Sequence, residues 1–188
     1  MRTEGNRYIG GGKILFTPLK KDGTLGEEFE IGECQSGELS FNVEKKDAFS
    51  KDRVIKQLVE QVVTNIDATF KFTTQKLNTE NLVLAKMGVK EEITYDIGDT
   101  LPDGTVATKA GTYTKIKMAE NPIQNGQIRF IGDEDGASKP VLVLYSVALA
   151  PSSGFNYFSD EFAILEFEAA VLKTDDGYGD EYWMEVGE

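Results

Sequence analysis

The feature that most constrains this chain is alternation. In ELSFNVE, residues 38–44, Leu39, Phe41 and Val43 fall on one side of an extended chain, while Glu38, Ser40, Asn42 and Glu44 fall on the other. Residues 66–73 repeat the pattern, with Ile66, Ala68, Phe70 and Phe72 set against Asp67, Thr69, Lys71 and Thr73. In residues 162–171 the apolar set is Ala163, Leu165, Phe167, Ala169 and Val171, and Glu166 and Glu168 lie opposite. A period of two with one wet face calls for antiparallel strands. Residues 141–149 differ, because Val141, Val143, Tyr145, Val147 and Leu149 alternate with Leu142, Leu144, Ser146 and Ala148. Both sides are mostly apolar, which predicts a strand covered on both faces, by a helix or by another subunit.

Turn dipeptides punctuate these runs: Asp-Gly at residues 22–23, 103–104, 135–136 and 176–177, and Asn-Gly at 125–126. Many short strands so divided predict an all-β sandwich or barrel. One helix is predicted over residues 79–87, TENLVLAKM, opened by Thr79 as N-cap and closed by Gly88 in the left-handed conformation. Residues 53–63, RVIKQLVEQVV, combine helical spacing with a β-branched content that favours extended chain. The segment before them reads as a long exposed loop, spanning about residues 45–65 in all.

Composition narrows the chemistry. A length of 188 residues supports one domain with its own core. There is no histidine, which removes the usual triads and most zinc sites, and the single cysteine, Cys34, permits no internal disulfide. Cys34 is expected to be a small buried hydrophobe. The N-terminal Arg2 and Arg7 are followed by no apolar stretch of the signal-peptide kind, and the longest apolar run, PVLVLYSVALAP, is short of a membrane span. The expectation is a soluble protein of a reducing cytoplasm, with no membrane partner. The net charge of −12 is uneven: residues 1–90 hold 14 Lys and Arg against 13 Asp and Glu, and residues 91–188 hold 6 against 19. Adhesive binding to nucleic acid needs the opposite sign.

Familiar site motifs fail on spacing. Aligning Gly12-Lys13 with a P-loop places Arg7 where the first glycine belongs and Ile14 where the hydroxyl belongs. The three glycines of RYIGGGKILF therefore read as a pliable arm, residues 1–12, leading into a first strand. An EF-hand register on Asp133, Asp135 and Gly136 puts Ile131 and Leu142 at the end positions, so a hairpin turn explains those acids. Glu166 and Glu168 have the look of a glycosidase pair, but a wet strand face carries such pairs routinely. In the acidic C-terminal segment, residues 174–188, Tyr178, Tyr182 and Trp183 suit either carbohydrate stacking or an aromatic edge strand docked on its own core or a neighbour. No catalytic residue, metal or cofactor is expected, and the chain does not read as an enzyme.

The order of elements resembles the tail tube proteins (major tail proteins) of long-tailed bacteriophages. The resemblance rests on GGGKILF, IGECQSGELSFNVEKKDAFS, VTNIDATFKFTTQKLNTENLVLAKMG, NPIQNGQIRFIGDEDG and FNYFSDEFAILEFEAAVL; Val89–Glu120 fits least and reads as an elaborated hairpin or insertion. It implies a single domain over residues 1–188, mainly β, with two near-orthogonal antiparallel sheets forming a sandwich or barrel flanked by one short α-helix. It also implies hexameric rings stacked into a virion tube assembled in the bacterial host cytoplasm. Such a tube surrounds a tape-measure protein, meets tail terminator or tail tip proteins, and passes DNA transiently and non-specifically. On that resemblance the ring-stacking loop is Lys45, Lys46, Asp47, Ala48, Phe49, Ser50, Lys51 and Asp52. The candidate lumen lining is Glu38, Glu44, Glu166 and Glu168, whose charge would repel phosphates. Type VI secretion tube proteins share this architecture. A non-polymerising carbohydrate-binding β-sandwich using Tyr182 and Trp183, or a carboxylate hydrolase, are the competing classes.

Overall fold

The computed structural model describes residues 10–49, 58–134, 138–158, 160 and 162–185. Alternation becomes strand over residues 38–44, 66–73 and 141–149, while the strand expected over residues 162–171 begins only at Leu165. Among the described residues nine strands form: β1 (Gly12–Pro18), β2 (Phe29–Phe49), β3 (Leu58–Thr74), β4 (Val89–Tyr95), β5 (Gly111–Lys117), β6 (Gln124–Gly132), β7 (Ser138–Pro151), β8 (Leu165–Val171) and β9 (Gly179–Glu185). One helix, α1 (Thr79–Ala85), follows β3. The fold is mainly β, with two antiparallel sheets and one short helix, as the alternation and the resemblance implied. The sheets are unequal: seven strands in the order β6-β1-β2-β3-β8-β7-β9, and a separate ribbon of β4 and β5.

Within the large sheet β6 also pairs with β7, so the pairings run from β1 through β2, β3, β8, β7 and β6 back to β1. The core fills the space these strands surround. Phe16, Phe72 and Phe167 are its largest fully buried side chains, with Ile14, Ile31, Ile128, Leu144, Val147 and Leu149 beside them. Phe72 packs on Phe70 at 5.6 Å and on Phe167 at 5.3 Å between ring centroids, so one aromatic run crosses from β3 to β8. Aromatic pairs of this kind add about 0.5–1.5 kcal/mol beyond their burial.

β7 holds the sheet together. Its first half pairs with β9 and its last residues with β8, while β6 lies along its other edge. Two residues, Tyr145 and Ser146, face the single Gln127 of β6 at a β-bulge. The bulge moves the buried phase from Leu144 to Val147 and Leu149. This explains why both sides of the segment looked apolar in sequence. α1 packs against β7 and β8. β9 is fastened at its start, where the Tyr145 and Tyr182 hydroxyls both donate to the Asp180 carboxylate. Those bonds hold the Asp180 carboxyl below its ordinary value and push the Tyr145 phenol up to about 12.

Two local readings change. Asn125-Gly126 is not a turn but lies inside β6; a Cβ on Gly126 would sit 2.3 Å from the Thr17 carbonyl oxygen and 2.8 Å from the Phe16 ring. The glycine is there because two backbones and a core phenyl ring close on it. The helix is capped by Asn78, one residue earlier than expected, whose Oδ1 accepts from the Asn81 amide at 2.7 Å. At the other end the left-handed residue is Met87 (φ 50°), not Gly88. Gly88 instead lets the chain pass β5, since a Cβ would come within 2.7 Å of Ile116 Cγ2 and of the Lys117 carbonyl oxygen.

Asn81 ties the helix to the strands. Its Nδ2 donates to the Ile31 carbonyl at 2.7 Å and to the Lys76 carbonyl at 2.8 Å, and the side chain is fully buried. The stretch that fitted the resemblance least, residues 89–120, is the β4–β5 ribbon; Ala119 and Asn121 donate backbone bonds to the carbonyls of Lys86 and Met87.

Candidate functional site

The longest strands build the candidate site. β1 pairs with β2 only over Phe29–Glu33, and β8 pairs with β3 only over Ala68–Thr74. Beyond those limits β2 and β3 pair with each other alone, so residues 41–49 and 58–67 form a two-stranded arm extending past the sheet. Nine residues of strand reach roughly 30 Å. The expected loop over residues 45–65 is therefore corrected. Lys45, Lys46, Asp47, Ala48 and Phe49 are strand, paired with Val63, Val62, Gln61, Glu60 and Leu58; Ser50, Lys51 and Asp52 lie outside the described residues. The physical reason is pairing: KKDAF has no alternation of its own, and the β-branched run opposite it supplies the register.

The arm exposes what a strand normally buries. Phe41 is 55% exposed, Phe49 52% and Leu58 55%, and Val43, Val62, Val63 and Ile66 are also exposed. Near the sheet the apolar set Leu39, Phe41 and Val43 lies across from Phe70, Ala68 and Ile66, the two sets read in sequence. Phe70 and Ala68 are buried in the core and Leu39 is half-buried; Phe41, Val43 and Ile66 continue the same face and are exposed, with the Tyr178 ring touching Phe41 edge to face. A β-bulge then interrupts the arm, with Thr64 as the extra residue between Asn65 and Val63. Its hydroxyl donates to the Glu44 carbonyl at 3.3 Å.

The other face of the same strands is wet and acidic. In register, Glu38 lies opposite Lys71, which lies opposite Glu168; Glu44 lies opposite Asn65, and Glu166 opposite Thr73. All four carboxylates singled out in sequence, Glu38, Glu44, Glu166 and Glu168, are thus brought onto one three-stranded face. Asp67 joins them, and the face is completed by serine, threonine and asparagine. Lys71 is the one cation on it among these paired positions, bonded to Glu168 at 3.1 Å. Five carboxylates to one ammonium leave it strongly negative.

A groove of about 550 Å³ opens beside the root of the arm, walled by Cys34, Leu39, Phe70, Phe130, Leu142 and Trp183. Cys34, expected to be buried, is half-buried; its thiol donates to the Gly32 carbonyl at 3.1 Å, and burial pushes its pKa up to about 11. That favours an inert thiol. The first glycines, Gly10 to Gly12, also line this groove, and residues 1–9 of the expected arm lie outside the described residues.

Tyr182 and Trp183, read as a stacking or docking pair, stand on β9 about half exposed. Sequence reasoning missed one further exposed apolar pair. Phe158 and Phe162, in the connection from β7 to β8, are 93% and 85% exposed. Tyr178 bridges to the arm: its hydroxyl donates to the Ile66 carbonyl at 2.5 Å, and its ring meets Phe41 edge to face at 6.3 Å. The sequence singled out Tyr178 with Tyr182 and Trp183 as a stacking or docking aromatic, but only the pairing register shows that it docks on the arm.

Among the described residues no cluster of His, Cys, Asp and Glu suits a metal, and no helix is long and apolar enough to cross a membrane. No curated protein matches the chain. A family described as "Protein of unknown function UCP028589" matches residues 7–114, more than half the length and including the whole arm, and the chain belongs to that family.

Proposed function

We propose that this chain is a non-enzymatic structural subunit that polymerises into stacked rings, forming a tail tube of the kind its element order resembles. The observation that carries the reading is the arm. It continues the core-facing side of a sheet past the edge of the molecule, and a contiguous exposed apolar strand face in a soluble protein marks an interface. A second copy is the natural cover, because a heterologous contact that rotates back on itself gives a ring, and one that translates gives a stack.

The acidic face fits the inside of such a tube. The arm's two faces differ in chemistry, so packing the apolar one against a neighbour leaves the carboxylates on the opposite side. A lining of like charge lets a polyanion pass without adhering. Tape-measure, terminator and tip proteins, and the virion as location, follow from the resemblance and belong to this proposal. The tube of a secretion system would use the same surfaces.

Negative-stain microscopy of the purified protein across a concentration series tests the reading. Rings or tubes are expected above a threshold concentration. A protein that stays monomeric at millimolar concentration refutes it, and quenching of Trp183 fluorescence by oligosaccharide in such a monomer would favour the carbohydrate-binding class.

A further inference from the structure

The arm has a brace outside its own hairpin. Val171 of β8 pairs with Ala68, and the chain then leaves the sheet, with the Leu172 amide donating to the Ser146 carbonyl. The next outward-facing acceptor along β3 is the Ile66 carbonyl, and the Tyr178 hydroxyl bonds to it at 2.5 Å. A phenol therefore takes over where a strand stops.

Tyr178 is itself firmly placed. It follows the tight turn in which Thr174 and Gly177 exchange backbone bonds and Gly177 has φ 106°. Its carbonyl accepts from the Tyr145 amide at 3.2 Å, at the bulge of β7. The next residue, Gly179, lies so close to β7 that a Cβ would sit 2.2 Å from the Val143 carbonyl oxygen. The ring then meets Phe41 on β2. One residue, through its backbone carbonyl, ring and hydroxyl, links β7, β2 and β3 at the point where the arm leaves the body.

We propose that Tyr178 is a positioning residue for assembly, fixing the direction in which the arm is offered to a second copy. This rests on the polymerising reading above. A hairpin without the brace samples many directions, and a copy that must capture one of them loses affinity in proportion to the competent fraction. The hydroxyl is the part that sets direction, since it bonds a backbone atom. The ring supplies packing.

The test compares wild type with Tyr178→Phe, which keeps the ring on Phe41, and with Tyr178→Leu, which removes both contacts. Amide exchange of residues 41–49 and 58–67 is measured in dilute monomer, and the threshold for polymerisation by sedimentation. Loss of one hydrogen bond is expected to raise arm exchange about fivefold in Tyr178→Phe and to raise the threshold by a similar factor, with exchange of β1 and β6 unchanged. Arm exchange equal to wild type in both variants overturns the brace. Raised exchange with an unchanged threshold overturns the role in assembly. A wild type that does not polymerise refutes the tube reading instead, and the exchange contrast then decides by itself whether Tyr178 braces the arm.

Discussion

Replacing Val43 and Val63 together by threonine perturbs the arm with little change of shape. Val43 is 42% exposed and Val63 49% exposed, and they lie on either side of the bulge, in the Val43–Ile66 and Lys45–Val63 pairs that the Glu44–Asn65 pair separates. Threonine keeps the β-branched shape and the strand preference. In the monomer each new hydroxyl reaches water, so the substitutions fall in the ±0.5 kcal/mol range of surface changes, and Tm should move by no more than about 4 °C. In a polymer where a second copy covers the arm, each hydroxyl is buried without a partner, at about 1–3 kcal/mol. Even the low end gives about 2 kcal/mol per contact, or roughly a 30-fold rise in threshold concentration. Pelleting assays over a concentration series, with a thermal melt as control, read both numbers. A threshold within threefold of wild type at unchanged Tm would show that this part of the arm stays wet in the assembly and would refute the reasoning.

Three further predictions concern the fold and its ionisable groups. Asn81→Ala removes both Nδ2 bonds, leaving the buried Ile31 carbonyl with only the Thr74 hydroxyl at 3.4 Å and the Lys76 carbonyl without this donor; at about 1–3 kcal/mol, calorimetry should show Tm lowered by roughly 2–12 °C. With its thiol held near 11 against an ordinary 9.0, Cys34 should carry about 100-fold less thiolate than in the unfolded chain at pH 8. Iodoacetamide should therefore label the native protein slower than the denatured protein by about that factor or more. Asp180 has a depressed pKa because the Tyr145 and Tyr182 hydroxyls donate to its carboxylate. Its stabilising effect is present above the ordinary value of 3.8 and is lost as pH falls through the depressed value. Amide exchange of residues 179–185, corrected for intrinsic rates, should rise in acid below pH 3.8, and Asp180→Asn should flatten that dependence.

How far the sequence reaches depends on what enforces a pattern. Where a strand has core on one side and water on the other, as in Leu165–Val171 with its strict buried and unburied alternation, the period of two is legible because each wrong residue would cost burial energy. The same logic made the acidic face legible: Glu38, Glu44, Glu166 and Glu168 were assigned from alternation, and register put them together. Lys45–Phe49 failed for the converse reason. Both faces of the arm are exposed in this chain, nothing within it enforces a period, and a strand fixed by its partner looks like a loop. Asn125-Gly126 misled because glycine serves close approach as well as turns, and only the neighbouring Phe16 ring and Thr17 carbonyl tell the two apart. The ring of pairings that brings β6 onto both β1 and β7 has no local signature at all.

The bulge at Thr64 gives the arm its change of character. Up to Glu44 and Asn65 the pairing keeps polar and acidic residues on one face and apolar residues on the other. An uninterrupted ladder would put Val63 and Gln61 in line with Asn65 and Asp67 on the polar face, and Thr64 in line with Ile66 on the apolar one. The extra residue shifts the phase of β3 against β2, and beyond it Lys45 faces Val63 and Lys46 faces Val62. Beyond it Lys45 and Lys46 are matched by Asp47 and Glu60, and Val62, Val63, Phe49 and Leu58 stand exposed, so this segment is apolar and balanced in charge on a molecule whose net charge is −12. For two copies that repel each other overall, contact is least costly through the segment where anionic density is lowest and apolar area highest. The bulge places that segment at the end of a roughly 30 Å reach, away from the carboxylates at the root. One unpaired residue thus separates the part of the arm suited to meet another copy from the part suited to face a polyanion.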